Sequence, residues 1–281
     1  MSSRFAIVTD STADMGALAH QFDVSVVPLT IRFGNQEYRD GVDLTSVEFY
    51  AKLRTSAQPP VTAQPAPAAF VEAYRRLLDG GAERILSLHI SSALSGTYNA
   101  ASLAAATVDP ARIAVLDTKT ASAGIAMLAI DARRRFQAGE GFDDVTSAVC
   151  ADAAKVQLFA TVPNLTFLAR GGRIGGLSGM VGNVLKIVPI LTLKDGAVCE
   201  YAKVRTFARA VDQLVQTAIA GMPVKGRARV AILHSVAPEL AASIGDRLRA
   251  ATEPVFEITC DIGPTVGTHA GPGAVGVCFI P

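Results

Sequence analysis

Tryptophan is absent from the 281-residue sequence, and aromatic residues make up only 6% of it. A surface that stacks the bases of nucleic acids needs aromatic side chains, and phosphate binding normally requires a basic excess. The formal net charge of this chain is only +1. We therefore expect no nucleic acid partner.

Cysteine is also scarce. The four cysteines (Cys150, Cys199, Cys260 and Cys278) are far apart, with no CxxC pair and no histidine at ligand spacing. Structural zinc needs clustered ligands, so we expect reduced thiols and no metal site.

Long uncharged runs are missing as well. No stretch reaches the ~18 residues that a membrane-spanning helix needs. The first apolar run ends at Thr9 and Asp10, which makes it too short for a signal-peptide core. Half of the residues are hydrophobic and 18% are charged, which indicates a sizeable buried core. We expect a soluble, cytoplasmic protein.

Strands and helices alternate in the first half of the chain. The strand "RFAIVTD" precedes a helix predicted over "STADMGALAHQF", and "ERILSLHI" is another strand followed by a helix. This order predicts a mostly parallel sheet. In the second half, Asp195-Gly196 between two β-rich runs predicts a hairpin. We predict an N-terminal α/β domain (1–160), a smaller mixed α/β C-terminal domain (161–281), and a ligand cleft between them.

The stretch "LHISSALSGTYNA", residues 88–100, contains several hydroxyls and a glycine where a strand meets a helix. The start of a helix presents unpaired N–H groups and a partial positive charge, which suit an anion. Ser95 and Gly96 lie where this helix should begin. Capping of the helix by Ser92 or Ser95 is the alternative, but one cap explains one hydroxyl only.

Other candidate residues each have a structural alternative. Thr62 in "PPVTAQPAP" could bind a ligand or cap the next helix, and Asp10 at the end of the first strand could do either. His269 lies among glycines in "TVGTHAGPGAVG", where it could reach a carboxylate or serve the fold. Arg170 and Arg173 flank a glycine pair that is also typical of a tight turn.

Taken together, these segments resemble the DegV family. The motifs "VTDSTAD", "PVTAQPAP", "ISSALSGTYNA", "FLARGGRI" and "GTHAGPGAVGV" occur in the family's order, over essentially the whole chain. The resemblance implies a two-domain α/β fold that binds one long-chain fatty acid between its domains. In the FakB type, the bound acid is presented to a separate fatty acid kinase, which converts its carboxylate into an acyl phosphate.

The resemblance also assigns roles to individual residues. It implies a carboxylate clamp of Thr62, Ser95 and the Gly96 N–H, with His269 and Arg170 at the head group. Arg205 in "AKVRT" resembles a basic residue implicated in kinase engagement. The threonine motif departs from the family at Ala63, where a serine is common. On this interpretation the protein is a carrier, with no catalytic residue, metal or cofactor of its own.

Two alternatives remain open at this stage. Ser95, His269 and Asp10 could form a hydrolytic triad, although no nucleophile elbow is present. A histidine could instead hold a small ketone, as in the related fold of dihydroxyacetone kinase subunits, although the apolar composition favours a lipid. For a carrier, we expect delivery to require transient opening, for which a membrane surface is one setting.

Overall fold

The computed structural model describes residues 4–163, 165–173, 187–222 and 224–281. These residues form ten α-helices and thirteen strands in the order β1 (Phe5–Asp10), α1 (Ala17–Gln21), β2 (Val24–Val27), β3 (Thr30–Phe33), β4 (Gln36–Arg39), α2 (Ser46–Thr55), β5 (Val61–Ala63), α3 (Pro67–Asp79), β6 (Arg84–His89), α4 (Thr97–Val108), β7 (Ile113–Asp117), α5 (Ala123–Gln137), α6 (Phe142–Ala153), β8 (Gln157–Thr161), α7 (Thr166–Gly171), β9 (Val188–Lys194), β10 (Ala197–Val204), α8 (Phe207–Gly221), β11 (Arg229–His234), α9 (Pro238–Thr252), β12 (Phe256–Asp261), α10 (Pro264–Ala270) and β13 (Val275–Ile280).

The first sheet has the strand order β2-β1-β6-β7 and is parallel throughout. Successive side chains of a strand point to opposite faces. Val8 accordingly packs with α3 and α4 on one face, and Ile7 packs with α5 on the other. Burial on both faces explains why β1 and β6 are almost continuously apolar. The predicted parallel sheet in the first half is confirmed.

The second sheet has the order β10-β9-β8-β13-β11-β12 and is mixed, with β11 and β12 as its parallel pair. Helices α8 and α9 cover one face, where Leu214 and Ile244 are fully buried. Helix α5 contacts the other face as well as the first sheet. One hydrophobic core therefore continues through α5 from one sheet to the other.

The position of β8 bears on the division of the chain. Residue 160 lies within β8, and β8 pairs with β9 and β13 of the second sheet. We therefore propose that the division between the two halves falls before β8, in the turn after α6, rather than at residue 160.

An ion-pair network joins the two halves beside α5. The Arg229 guanidinium on β11 lies 2.9 Å from Asp131 Oδ2 on α5 and 2.7 Å from Asp152 Oδ2 on α6. All three side chains are largely buried, so solvent screens these pairs only weakly. The network fixes the second sheet against α5 and α6.

A small antiparallel sheet, β4-β3-β5, extends from the first half. It packs on α2, which begins at a capping box formed by Thr45 and Glu48. A Cβ on Gly267 of α10 would collide with the hydroxyl of Tyr50, so a glycine is needed for this close approach. The small sheet and α2 are thereby packed against α10 from the second half.

The start predicted for the helix after β1 is wrong. A short 3₁₀ turn occupies Ser11–Ala13, and Asp14 then takes a left-handed conformation with φ of 52°. Gly16 also has a positive φ, so α1 begins only at Ala17. None of the helices in the four described ranges is both long and apolar enough to span a membrane.

Candidate ligand-binding site

A cavity lies between the two sheets. Both halves of the chain line it, and most of the lining is aliphatic. Representative side chains are Leu29, Ile90 and Leu94 from the first half and Leu158, Leu191 and Leu233 from the second. A concave space with a mostly aliphatic lining is suited to a flexible hydrocarbon chain rather than to a polar metabolite.

Polar side chains gather where this cavity meets the surface. Thr62, Gln64, Ser95, Arg173 and His269 all line it. Ser95 and Arg173 also line a shallow groove outside, so they mark the mouth. The cavity thus combines an apolar interior with a polar opening, as expected for an amphipathic ligand.

Thr62 and His269 form the centre of the polar opening. The Thr62 hydroxyl lies 3.1 Å from His269 Nε2, although the two residues are 207 positions apart. Thr62 belongs to β5, and α3 begins at Pro67 after an Ala66 N-cap, so Thr62 does not cap that helix. The side-chain hydrogen bond instead joins the small sheet of the first half to α10 of the second.

His269 is neutral at physiological pH. Burial, assisted by the nearby Arg173 charge, lowers the pKa of its imidazole to about 4. Nδ1 is buried against Gly171 and has no hydrogen-bond partner within the described part of the chain. A buried unpaired N–H is rarer than a buried unpaired acceptor, so the proton belongs on Nε2. His269 then donates to the Thr62 hydroxyl, whose own proton is available to a ligand.

The paired glycines allow α7 to approach this histidine. A Cβ on Gly171 would overlap the His269 ring, and Gly172 has a φ of 69°, which favours glycine. Arg173 follows at the mouth, where it donates to the carbonyls of Leu94 at 3.2 Å and Gly171 at 2.9 Å. The glycine-rich continuation, residues 174–186, lies outside the described residues.

The hydroxyl groups between β6 and α4 make several different hydrogen bonds. The Ser95 hydroxyl lies 2.8 Å from that of Thr97 and accepts a hydrogen bond from the Thr97 N–H at 3.3 Å. The N-cap of α4 is Gly96, which has no side-chain cap. Ser92 does not cap α4 either, since its hydroxyl accepts from Lys119 Nζ at 3.0 Å. The Ser95 hydroxyl therefore satisfies the N–H of Thr97, the first residue of α4, while the N-cap Gly96 has no side chain that would compete with an anion.

Sequence reasoning missed Gln64, which lies two residues after Thr62 in the same motif. Its side chain occupies the space where a Cβ on Gly96 would stand. This contact places the end of β5 against the start of α4 and so brings Thr62 towards Ser95. The fixed spacing of the "VTAQP" motif was the available signal.

The two other predicted arginines lie elsewhere. Arg170 on α7 is exposed and is not among the cavity-lining residues. Arg205, between β10 and α8, is exposed and does not line the cavity either. The structure brings together Thr62, Ser95 and His269 at the mouth, with Gly96 in the groove just outside it.

The hydrolytic triad of Ser95, His269 and Asp10 is not formed. Asp10 Oδ2 lies 2.9 Å from Nδ1 of a different histidine, His89, and accepts from no atom of His269. The other nitrogen of His89 lies 2.7 Å from the Ser87 hydroxyl. Asp10, His89 and Ser87 have no exposed surface, so this buried chain of hydrogen bonds is inaccessible to a substrate.

No group of three or more His, Cys, Asp or Glu side chains within the described ranges is arranged to hold a metal ion. The cationic feature of the mouth is Arg173, supported by the start of α4. Together with the apolar interior, this defines an α/β protein whose internal cavity is suited to an amphipathic anion.

Comparison with known proteins identifies the family. The model described as "Uncharacterised protein, DegV family" matches residues 4–281. A DegV domain-containing protein of Streptomyces coelicolor is 35% identical over 282 residues, covering 99% of this chain and 98% of that protein. The chain belongs to the DegV family.

Solved structures of the same family share the fold. The fatty-acid-binding DegV family protein of Thermus thermophilus superposes with a TM-score of 0.91 at 33% identity and 99% coverage of both chains. DegV of Bacillus subtilis, described as a fatty acid binding protein, has a TM-score of 0.89 at 27% identity and 98% coverage of both. The two-domain DegV-like fold expected from the motifs is confirmed.

Proposed function

We propose that this protein binds one long-chain fatty acid, with its acyl chain in the cavity between the two sheets and its carboxylate at the polar mouth. The observation that carries the proposal is a cavity with an aliphatic interior and an opening formed by Thr62, Ser95, Arg173 and His269. The similar proteins of Thermus thermophilus and Bacillus subtilis, described as fatty-acid-binding, support it.

The two ends of such a ligand contribute differently to affinity. Burial of each methylene contributes about 0.8 kcal/mol, so a long acyl chain contributes on the order of 10 kcal/mol before the costs of association. A carboxylate at a helix N-terminus gains only about 0.3–2 kcal/mol. The cavity therefore supplies most of the affinity, and the mouth determines which end of the ligand faces the surface.

At the mouth, the ligand carboxylate would meet donors of three kinds. The Thr62 hydroxyl can donate because His269 Nε2–H satisfies its oxygen. The Ser95 hydroxyl and the Gly96 N–H lie at the start of α4. Arg173 supplies a positive charge beside them, through a side chain held by the backbone carbonyls of Leu94 and Gly171. These groups bind and orient an acid but include no activated nucleophile.

We further propose that this protein acts as a FakB-type carrier, which presents the bound acid to a separate fatty acid kinase that forms the acyl phosphate. Arg170 and Arg205 are the candidate contacts. Both are exposed, and neither has an ion-pair partner within the part of the chain that the structure describes. Unpaired surface guanidinium groups are suited to carboxylates of a partner protein. Such a carrier would act in the cytoplasm and open transiently, with a membrane surface as one setting.

Denaturing mass spectrometry of an organic extract from purified, untagged protein tests the binding proposal. A fatty acid at about one per chain is the expected result. Protein that yields no acyl lipid and takes up neither oleate nor palmitate would refute it.

The kinase step needs a separate experiment. Acyl phosphate should form from protein-bound oleate and ATP only when the kinase subunit is added. Arg205→Ala is expected to slow this reaction while leaving oleate affinity unchanged. Arg227→Ala, which removes another exposed arginine of the second half, is the matched control. Equal rates for the two variants would remove Arg205 from the partner contact.

A further inference from the structure

Two buried carboxylates of the first half meet the start of α10, the helix that carries His269. Asp14 Oδ1 accepts a hydrogen bond from the Gly263 N–H at 2.9 Å, and Asp40 Oδ2 accepts one from the Thr265 N–H at 3.1 Å. We propose that Asp14 and Asp40 are positioning residues of the head-group site, which hold α10 where His269 meets Thr62. As a statement about a fatty acid site, this inference rests on the proposed function.

The two hydrogen bonds at the start of α10 also determine the position of His269, near the end of the same helix. Thr265 and His269 are four residues apart in a seven-residue helix, so they are separated by about one turn on the same side. The hydrogen bond between Thr62 and His269 has a length of 3.1 Å and weakens steeply when its partners separate. A displacement of the helix start would therefore be felt at the head group.

Other contacts of α10 do not replace these two. The Tyr50 hydroxyl donates to the Ile262 carbonyl at 3.1 Å, just before the helix, and Gly267 packs on α2. These contacts fix the distance between α10 and α2. The carboxylates bond to the N–H groups of Gly263 and Thr265, which bracket the first residue of the helix, and so restrain the direction of its axis.

Stability gives no reason for carboxylates here. Burial raises the pKa of Asp40 to about 6 and raises that of Asp14 well above its usual range, so both charges are costly in the folded protein. At Asp40, an asparagine could accept the hydrogen bond from the Thr265 N–H without this cost. Charged acceptors form stronger hydrogen bonds than neutral ones, which is the advantage they bring to positioning.

The surroundings of Asp40 make its hydrogen bond to α10 sensitive to pH. The titratable groups around it are acidic or phenolic: Asp10 on β1, Asp14 in the turn after it, Tyr50 on α2 and Asp261 at the end of β12. The strongest influences on the pKa of Asp14 and on that of Asp40 include no basic group among the described residues. Below pH 6, Asp40 therefore gains a proton, its bond to α10 loses charge assistance, and affinity for the fatty acid falls.

The test compares oleate affinity at pH 7.5 and pH 5.5 by displacement of the fluorescent fatty acid cis-parinaric acid. At pH 7.5, Asp40→Ala should weaken affinity at least tenfold, and Asp40→Asn should recover most of that loss. Asp43→Ala is the control, because Asp43 pairs with Arg39 and does not contact α10. Between pH 7.5 and pH 5.5, the oleate affinity of the wild type should fall by a factor about three or more times larger than the factor for Asp40→Asn. Titration of the ligand carboxylate affects both proteins equally and therefore cancels in this comparison.

Nitrogen-15 NMR of the histidine rings in ligand-free protein separates this inference from the proposed function. The His269 signal should respond to pH near 6 in the wild type and in Asp43→Ala, but not in Asp40→Asn. If wild-type protein binds no oleate, the proposed function fails. The pH response of the His269 signal still tests whether Asp40 positions α10. Identical pH profiles of the His269 signal in wild type and Asp40→Asn would overturn the inference, even if Asp40→Ala fails to fold.

Discussion

Thr62→Val removes one hydroxyl from the mouth of the cavity and keeps the shape of the side chain. The variant deletes the donor to the ligand carboxylate and leaves His269 Nε2–H without its acceptor. A hydrogen bond to a charged group contributes about 1.5–3 kcal/mol, which corresponds to a roughly 10- to 150-fold loss of affinity. Because the acyl chain contributes on the order of 10 kcal/mol, binding should be weakened but not abolished.

Displacement of cis-parinaric acid by oleate measures this loss. Thr62→Ser keeps the hydroxyl and should bind within a few-fold of the wild type. Thr107→Val is the matched control, since the Thr107 hydroxyl bonds only to the Leu103 carbonyl within α4. The penalty should shrink for methyl oleate, whose ester is a weaker acceptor than a carboxylate. An affinity of Thr62→Val within twofold of the wild type would refute the assignment of Thr62 to the head group.

Three further predictions concern the chain end of the ligand, pH and the fold. Ala160→Leu adds three carbons inside the cavity, so stearate affinity, measured by the same displacement, should fall about 30-fold or more while myristate affinity changes less; equal losses would contradict this. The second prediction is tested by urea unfolding at several pH values. The pKa of the buried Asp40 is raised from 3.8 to about 6, so its contribution to the free energy of unfolding should fall by about 3 kcal/mol as pH rises through that window. The neutral imidazole of His269, with its pKa lowered from 6.5 to about 4, should gain a similar amount. Asp40→Asn should therefore make the slope of stability against pH more positive than in the wild type between about pH 4 and pH 6, and His269→Gln should make it more negative. Curves parallel to that of the wild type would show that neither group titrates as described. Arg229→Met removes two ion pairs but leaves the largely buried Asp131 and Asp152 with Arg135 and the exposed Lys155 as remaining cations, so it should lower the free energy of unfolding by about 1.5–3 kcal/mol. Arg247→Met breaks one exposed pair and should cost less than about 1 kcal/mol.

Elements whose signal is local were predictable from the sequence. The β9–β10 hairpin turns at Asp195 and Gly196, which have φ values of 51° and 80°, as an Asp-Gly turn requires. Helix α2 begins at its capping box, and α3 ends at Gly80. In each case, neighbouring residues determine the backbone conformation through sterics and hydrogen bonds within a few positions.

The start of α1 was not predictable in the same way. "STADMG" carries good capping residues, yet Asp14 adopts a left-handed conformation there. Its carboxylate accepts from the Gly263 N–H, a partner 249 positions away. A tertiary contact of this kind overrides local helix propensity and leaves no trace in the nearby sequence.

The candidate site shows the same limit. Motif resemblance pointed to Thr62, Ser95 and His269, and these residues do line one cavity. The order of motifs could not indicate that His269 would rest on Gly171 and bond to Thr62, or that Gln64 would lie on Gly96. Such contacts depend on how α7, α10 and β5 pack together.

By itself, the sequence determined the alternation of strands and helices, the parallel first sheet and the residue types at the mouth, because periodicity and turn chemistry act over short distances. Tertiary structure alone decided that Asp10 pairs with His89 instead of His269, and that Asp14 and Asp40 meet α10. It also decided that the aliphatic faces of two sheets enclose a cavity. These outcomes depend on contacts between residues far apart in the chain, and such contacts form only when the whole core packs.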